Sequence, residues 1–173
     1  MFTEPLTAQP WEQWIRASGL HHFIAANGQW LWPGLQSIHY LGFSLLLGTV
    51  GLFDLRVLGL ARQIAPAKLH RLIPFGIAGF GINFLTGIVF FFGFPEQYFY
   101  NPSFQLLITF VMVAGLNVAV FYASPVFAEV RRLEPGEDAS WRAKLMAGTS
   151  LSCWIAVLVC GRLITFFRPP FFH

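Results

Sequence analysis

Apolar residues run through this chain in four blocks, and polar residues collect between them. The blocks, at about 34–60, 72–94, 104–127 and 145–167, each exceed the ~20 residues of helix, rising ~1.5 Å apiece, that cross a hydrocarbon layer of roughly 30 Å. They predict an all-α membrane protein, a bundle of four transmembrane helices over residues 30–173. Ahead of them Trp11, Trp14, Ile15, Ser18 and His22 recur at helical spacing, and Asn27-Gly28 follows as a stop. This predicts a short amphipathic helix lying on the membrane surface within residues 1–29. Trp30, Trp32 and Pro33 then mark the headgroup level at which the first span begins.

Only 11% of residues are charged and 55% are hydrophobic, against about a quarter charged in a soluble domain. The net charge of +3 does not point to nucleic acid, because the bases sit in short loops beside the spans. Arg62, Lys68 and Arg71 follow the first span; Arg131, Arg132, Arg142 and Lys144 lie between the third and fourth; the second connection has none. The positive-inside rule therefore predicts a bacterial inner (cytoplasmic) membrane protein with both termini periplasmic. Glu4 and Pro5, with no basic leader, argue against a signal peptide. Cys153 and Cys160 have neither disulfide nor zinc spacing and read, like Met112 and Met146, as packing residues.

Ionisable groups inside spans cost at least ~2.5 kcal/mol each and normally face the protein interior. Depth along each helix sorts them into two layers. His39 and Arg162 share the outer layer, with Thr86, Gln105 and Thr109 within a turn or so. Asp54 and Arg56 lie toward the cytoplasmic side, with Asn83, Asn117, Ser150 and Ser152 between there and the midplane. His70 sits beyond them at the cytoplasmic surface. Two readings of His39 compete. It is either an interior histidine hydrogen-bonded to Thr or Gln on a neighbouring span, or an axial ligand to a b-type haem. In the haem reading Gly42 leaves space for the macrocycle, Arg162 pairs with a propionate, and His22 or His21 supplies the second axial bond, His173 being the other outer-side histidine. His22, on the Trp11 face, and His21, about 100° round, cannot both face the bundle. Arg56 is expected to snorkel to the inner surface. Asp54 is expected to find Asn117, Ser150 or a basic group, either as a structural network or as a proton or cation site.

Trp32-Pro33 with His39, the run Phe53-Asp54-Leu55-Arg56-Val57-Leu58-Gly59, Pro74, Thr86-Gly87, Asn101 with Phe104, Asn117, and Trp154 with Gly161-Arg162-Leu163-Ile164 together resemble a family of small bacterial four-helix membrane proteins classed as a domain of unknown function. The resemblance covers nearly the whole chain from Trp30. Where that family carries an acidic residue just before the histidine and a lysine early in the third span, this chain has Gln36 and Gln105. A more distant likeness, in architecture and membrane histidine only, is to cytochrome b561-like and copper-resistance membrane proteins.

The leading expectation is a haem b electron carrier exchanging electrons with quinone or a periplasmic redox partner. The alternatives are a non-catalytic subunit or assembly factor of a larger complex, or a homodimer, packing through the glycine-rich second span, and a small transporter or metal-handling protein using Asp54, Asn83 and Asn117. No phosphate loop, paired-carboxylate constellation or nucleophile elbow points to a soluble catalytic site.

Overall fold

The computed structural model describes residues 9–167. Glu4, Pro5, Arg168 with the prolines after it, and His173 lie outside the described residues. The helices are α1 (Pro10–Arg16), α2 (Gly19–Leu58), α3 (Pro66–His70), α4 (Ile73–Gly93), α5 (Pro95–Phe99), α6 (Pro102–Ala123), α7 (Pro125–Arg132) and α8 (Trp141–Leu163). Four segments, α2, α3 continued by α4, α6 and α8, are long and apolar enough to cross a membrane. The protein is an all-α, multi-pass membrane bundle. Exposed Trp14 and Trp30 near one end and Trp141 near the other suit the two headgroup levels.

Local chemistry explains most boundaries. Asn101 caps α6 by accepting from the Ser103 amide, and Ser140 caps α8 by accepting from Ala143. The third apolar block does not run helically to residue 127: Ser124, extended before Pro125, ends α6 at Ala123 and starts α7. Gly59, at φ +110°, closes α2 in the left-handed conformation that glycine adopts without strain.

The N-terminal region departs from expectation. Its surface helix ends at Arg16, because the Ser18 hydroxyl accepts from the His21 amide and starts a new helix. Asn27-Gly28 does not stop that helix. The Asn27 amide donates to the Phe23 carbonyl one turn back, and α2 continues through the Gln29–Trp30 junction and Pro33 as a single 40-residue helix. An interior proline costs about 3 kcal/mol. Packing against α4 offsets it: Trp32 sits between Phe90 and Phe94, and Trp32 and Ile24 both close on Gly93.

Helix α2 packs along α4 and α8, and α6 packs along α8, whereas α4 and α6 hardly meet. The α2–α4 crossing is a backbone contact. A Cβ on Gly79 would stand 2.5 Å from the Gly42 carbonyl oxygen, and one on Gly42 would stand 2.8 Å from the Ile82 side chain. The buried core, Phe53, Val57, Phe121, Val126, Val130 and Ala143, lies toward the α3–α7 end. There Arg56, 1% exposed, ties two loops together, its Nε donating to the Ile64 carbonyl and one Nη to the Glu137 carbonyl at 3.2 Å. At the opposite end Trp11 packs between Phe91 and Phe99, and Arg16 pairs with Glu96 at 2.9 Å.

Asp138 joins the loops at the α3–α7 end, accepting from Lys144 at 2.7 Å and lying 3.2 Å from Arg62. The Lys144 hydrogen bond first, with the charges of Arg62 and Lys144, holds its carboxyl below the ordinary 3.8. A depressed carboxylate stabilises the fold above its unfolded value and loses that contribution as pH falls through the folded one. Exchange of the Gly136 amide, which donates to the Arg62 carbonyl, should therefore quicken relative to buried amides below about pH 4. Asp138→Asn should show the faster exchange already at neutral pH.

Candidate functional site

His39 faces α4. Its Nδ1 lies 2.6 Å from the Thr86 hydroxyl, which itself donates to the Ile82 carbonyl at 2.7 Å. Because that hydroxyl proton is committed, the imidazole donates through Nδ1, and Nε2 is left as the acceptor. Phe90 packs against the ring, with centroids 5.3 Å apart. Asn83 belongs to this group rather than to the deeper layer. With its amide oriented by the network around it, its nitrogen donates to the His39 carbonyl (2.6 Å) and its oxygen accepts from the Phe43 amide (3.0 Å).

The other expected members of the outer site are elsewhere. His21 and His22 sit on the same continuous helix as His39, about 26 Å back along it. Two axial imidazoles must approach one iron from opposite faces, so neither His21 nor His22 joins His39 on one iron within a chain. Of the pair it is His21 that faces the bundle, its Nδ1 2.8 Å from the Phe92 carbonyl, while His22 is exposed. The break at Ser18 starts a new helix, so the face shared by Trp11 and Ile15 does not continue to His22. The space beside Gly42 is filled by Gly79 and Ile82 of α4, which leaves no slot for a macrocycle there. Arg162 is exposed, with its guanidinium over the Phe166 ring at 5.6 Å. Gln105 and Thr109 bond locally, to the Phe99 and Gln105 carbonyls.

The deeper polar residues do converge. A cavity of about 320 Å³ lies between α2, α4, α6 and α8, and Asp54, Asn117, Ser150 and Tyr122 bring polar atoms to its wall. Asp54 is 5% exposed. Ser150 bonds its carboxylate, yet Oδ2 meets no donor among the described residues. Asn117 donates to the Met146 carbonyl at 3.0 Å, holding its side chain across the α6–α8 seam. The rest of the lining is apolar and aromatic, including Phe53, Phe80, Phe121 and Trp154. The cavity's lining runs from Leu46 to Val57 on α2, from Val111 to Tyr122 on α6 and from Ala143 to Trp154 on α8, roughly 16 Å of helix rise. Because α4 and α6 hardly touch, it opens sideways between them, where Ile77, Phe80, Val118 and Tyr122 are exposed. At the α3–α7 end the Tyr122 hydroxyl lies 3.0 Å from His70 Nε2, and Phe53 and Phe127 flank the His70 ring.

Arg56 does not snorkel and does not join Asp54. Being two positions away, it leaves the opposite side of the helix and is buried among loop carbonyls. Ser150 was legible as an Asp54 partner from depth alone. The aromatic walls were not, because nothing in the spacing of Phe80 or Trp154 distinguishes a cavity-lining ring from a packed one. Comparison of the chain with protein-family models, curated proteins and solved structures finds no match.

Proposed function

We propose that this protein binds a lipid-soluble amphiphile within the membrane. The molecule enters sideways between α4 and α6 and is held with its polar end at Asp54, Ser150 and Asn117. One observation carries this reading: the cavity is apolar and laterally open, and a few polar groups, Asp54, Asn117 and Ser150, share its wall, the usual composition of a small-molecule site. The basic residues Arg62, Arg131, Arg132, Arg142 and Lys144 support, by the positive-inside rule, a bacterial inner-membrane protein with its α3–α7 end on the cytoplasmic side.

Gly115 supplies the test. It lines the cavity, and a Cβ there meets nothing within 4 Å, so leucine fills the space without moving the backbone. Gly115→Leu should be as stable as the wild type or about 1 kcal/mol more stable, since leucine favours helix over glycine. In native mass spectra of protein extracted from its own membranes, the wild type should carry an amphiphile that the variant lacks. An identical adduct pattern in both would discard the cavity as the site.

A second reading, the haem b electron carrier, is favoured by the His39–Thr86 bond, since a histidine whose Nδ1–H is fixed by a partner presents Nε2 to a metal. His39 would then be the axial ligand, alone among the described residues, and the haem's chemistry would be one-electron transfer. Reduced-minus-oxidised spectra of protein expressed with haem available should show a haem signal that is lost in His39→Ala and unchanged in His21→Ala and His22→Ala. A wild type that takes up no haem rejects this reading.

A further inference from the structure

The chemistry of the cavity wall narrows the ligand, provided the cavity is the binding site. Asp54 is a carboxylate buried at a depth where such groups are rare, and no basic side chain forms an ion pair with it among the described residues. The guanidinium closest in sequence, Arg56, is turned into the loops. Ser150 satisfies part of the carboxylate, and Oδ2 still lacks a donor. Asn117 commits one amide N–H to the Met146 carbonyl, and the Tyr122 hydroxyl is engaged with His70. The wall of the same cavity carries the rings of Phe53, Phe80, Phe121 and Trp154, whose faces attract cations. A neutral head group would leave the carboxylate without a counter-charge, and an anionic one would be repelled. A protonated amine supplies an N–H for Oδ2, a charge for the carboxylate and a cation for the rings at once.

We propose that the cleft recognises lipophilic amines, bound as ammonium ions by Asp54, with the hydrocarbon part lying along the cavity toward the gap between α4 and α6. No bond is made or broken in this step. The molecule enters from the bilayer as an amphiphile and is held by a charge-assisted hydrogen bond inside an aromatic wall.

Trp154 reports on occupancy. Three probes with the same mid-chain-brominated twelve-carbon tail, a primary amine, an alcohol and a carboxylic acid, are titrated into protein in phosphatidylcholine nanodiscs at neutral pH. The quenching due to Trp154 is taken as the difference between wild type and Trp154→Phe, and Asp54→Asn and Asp54→Glu are titrated beside them. The amine should quench the Trp154 component saturably at a concentration roughly tenfold or more below the alcohol, the range expected of a hydrogen bond to a charged group. Asp54→Asn should remove that preference and Asp54→Glu keep part of it, both variants retaining wild-type helicity and elution volume. Equal saturable binding of amine and alcohol to the wild type would overturn the amine proposal and leave the cavity reading standing, as would an amine preference that survives Asp54→Asn. Absence of saturable quenching of Trp154 by all three probes would overturn both. If Asp54→Asn does not fold, the wild-type amine-to-alcohol ratio and the Asp54→Glu titration decide the matter alone.

Discussion

Gly79→Val is expected to separate α4 from α2, with a loss of about 3 kcal/mol or more in folding free energy. A Cβ at this position would meet the Gly42 carbonyl oxygen at 2.5 Å and the Leu46 amide nitrogen at 2.8 Å. Both are backbone atoms of a helix held by its own hydrogen bonds, so neither can swing aside as a side chain can. The helices must move apart, and the contacts from Gly76–Thr49 to Thr86–His39 loosen with them. Gly81→Val is the control, because a Cβ there meets nothing within 4 Å. Unfolding in mixed micelles of rising dodecyl sulfate content, followed by circular dichroism, should show a large shift for Gly79→Val and a small one for Gly81→Val. Equal shifts would mean that the helices do not cross where the structure puts them.

Asn101→Ala should cost about 3 kcal/mol. The Asn101 side chain is fully buried between two helix ends. Its Nδ2 donates to the carbonyls of Ile164 (2.9 Å) and Phe167 (2.6 Å), which α8 leaves unpaired at its C-terminus, and its Oδ1 accepts from the Ser103 amide at the start of α6. Alanine removes the partners of three backbone groups together, those at Ile164 and Ser103 in buried bonds and that at Phe167 in a partly buried one. Asn101→Asp keeps the cap on α6 but removes both donors to α8, and should fall between alanine and wild type. Thermal melts of the three proteins, with protease cleavage after Phe166 as a local probe, test the order. Aspartate behaving as wild type would assign the whole effect to the α6 cap and none to the tie between helices.

These two sites show different degrees of legibility. Asn101-Pro102 before an apolar block announces a helix start, so the cap was readable locally, but the bonds to α8 join residues more than sixty positions apart and follow from no local pattern. Gly79, in the glycine-rich second span, was readable as a place of close approach, whereas Gly42 read as space for a macrocycle; which helix approaches which was not readable. The same division runs through the candidate chemistry. His39 with a threonine on the next span, and Asp54 with Ser150, followed from depth, because equal rise per residue turns sequence position into height. Direction around the helix did not follow. Which of His21 and His22 faces the bundle was open until Ser18 set the start of α2 and turned His21 inward, and Asn83 joined His39 instead of Asp54.

The sequence alone therefore determined the four spans, their order and the loops that share an end, since segment length, apolar content, caps and prolines act within a few residues or across one bilayer thickness. Tertiary structure alone decided that α2 continues through Asn27-Gly28 and Pro33, where packing of Trp32 and Ile24 on α4 outweighs local breakers. It decided that Arg56 is buried, because two loop carbonyls offered better partners than the membrane surface. It also decided that Asp54 stands in the wall of a cavity: a cavity forms where helices fail to touch, here α4 and α6, and no residue's own pattern records the absence of a neighbour.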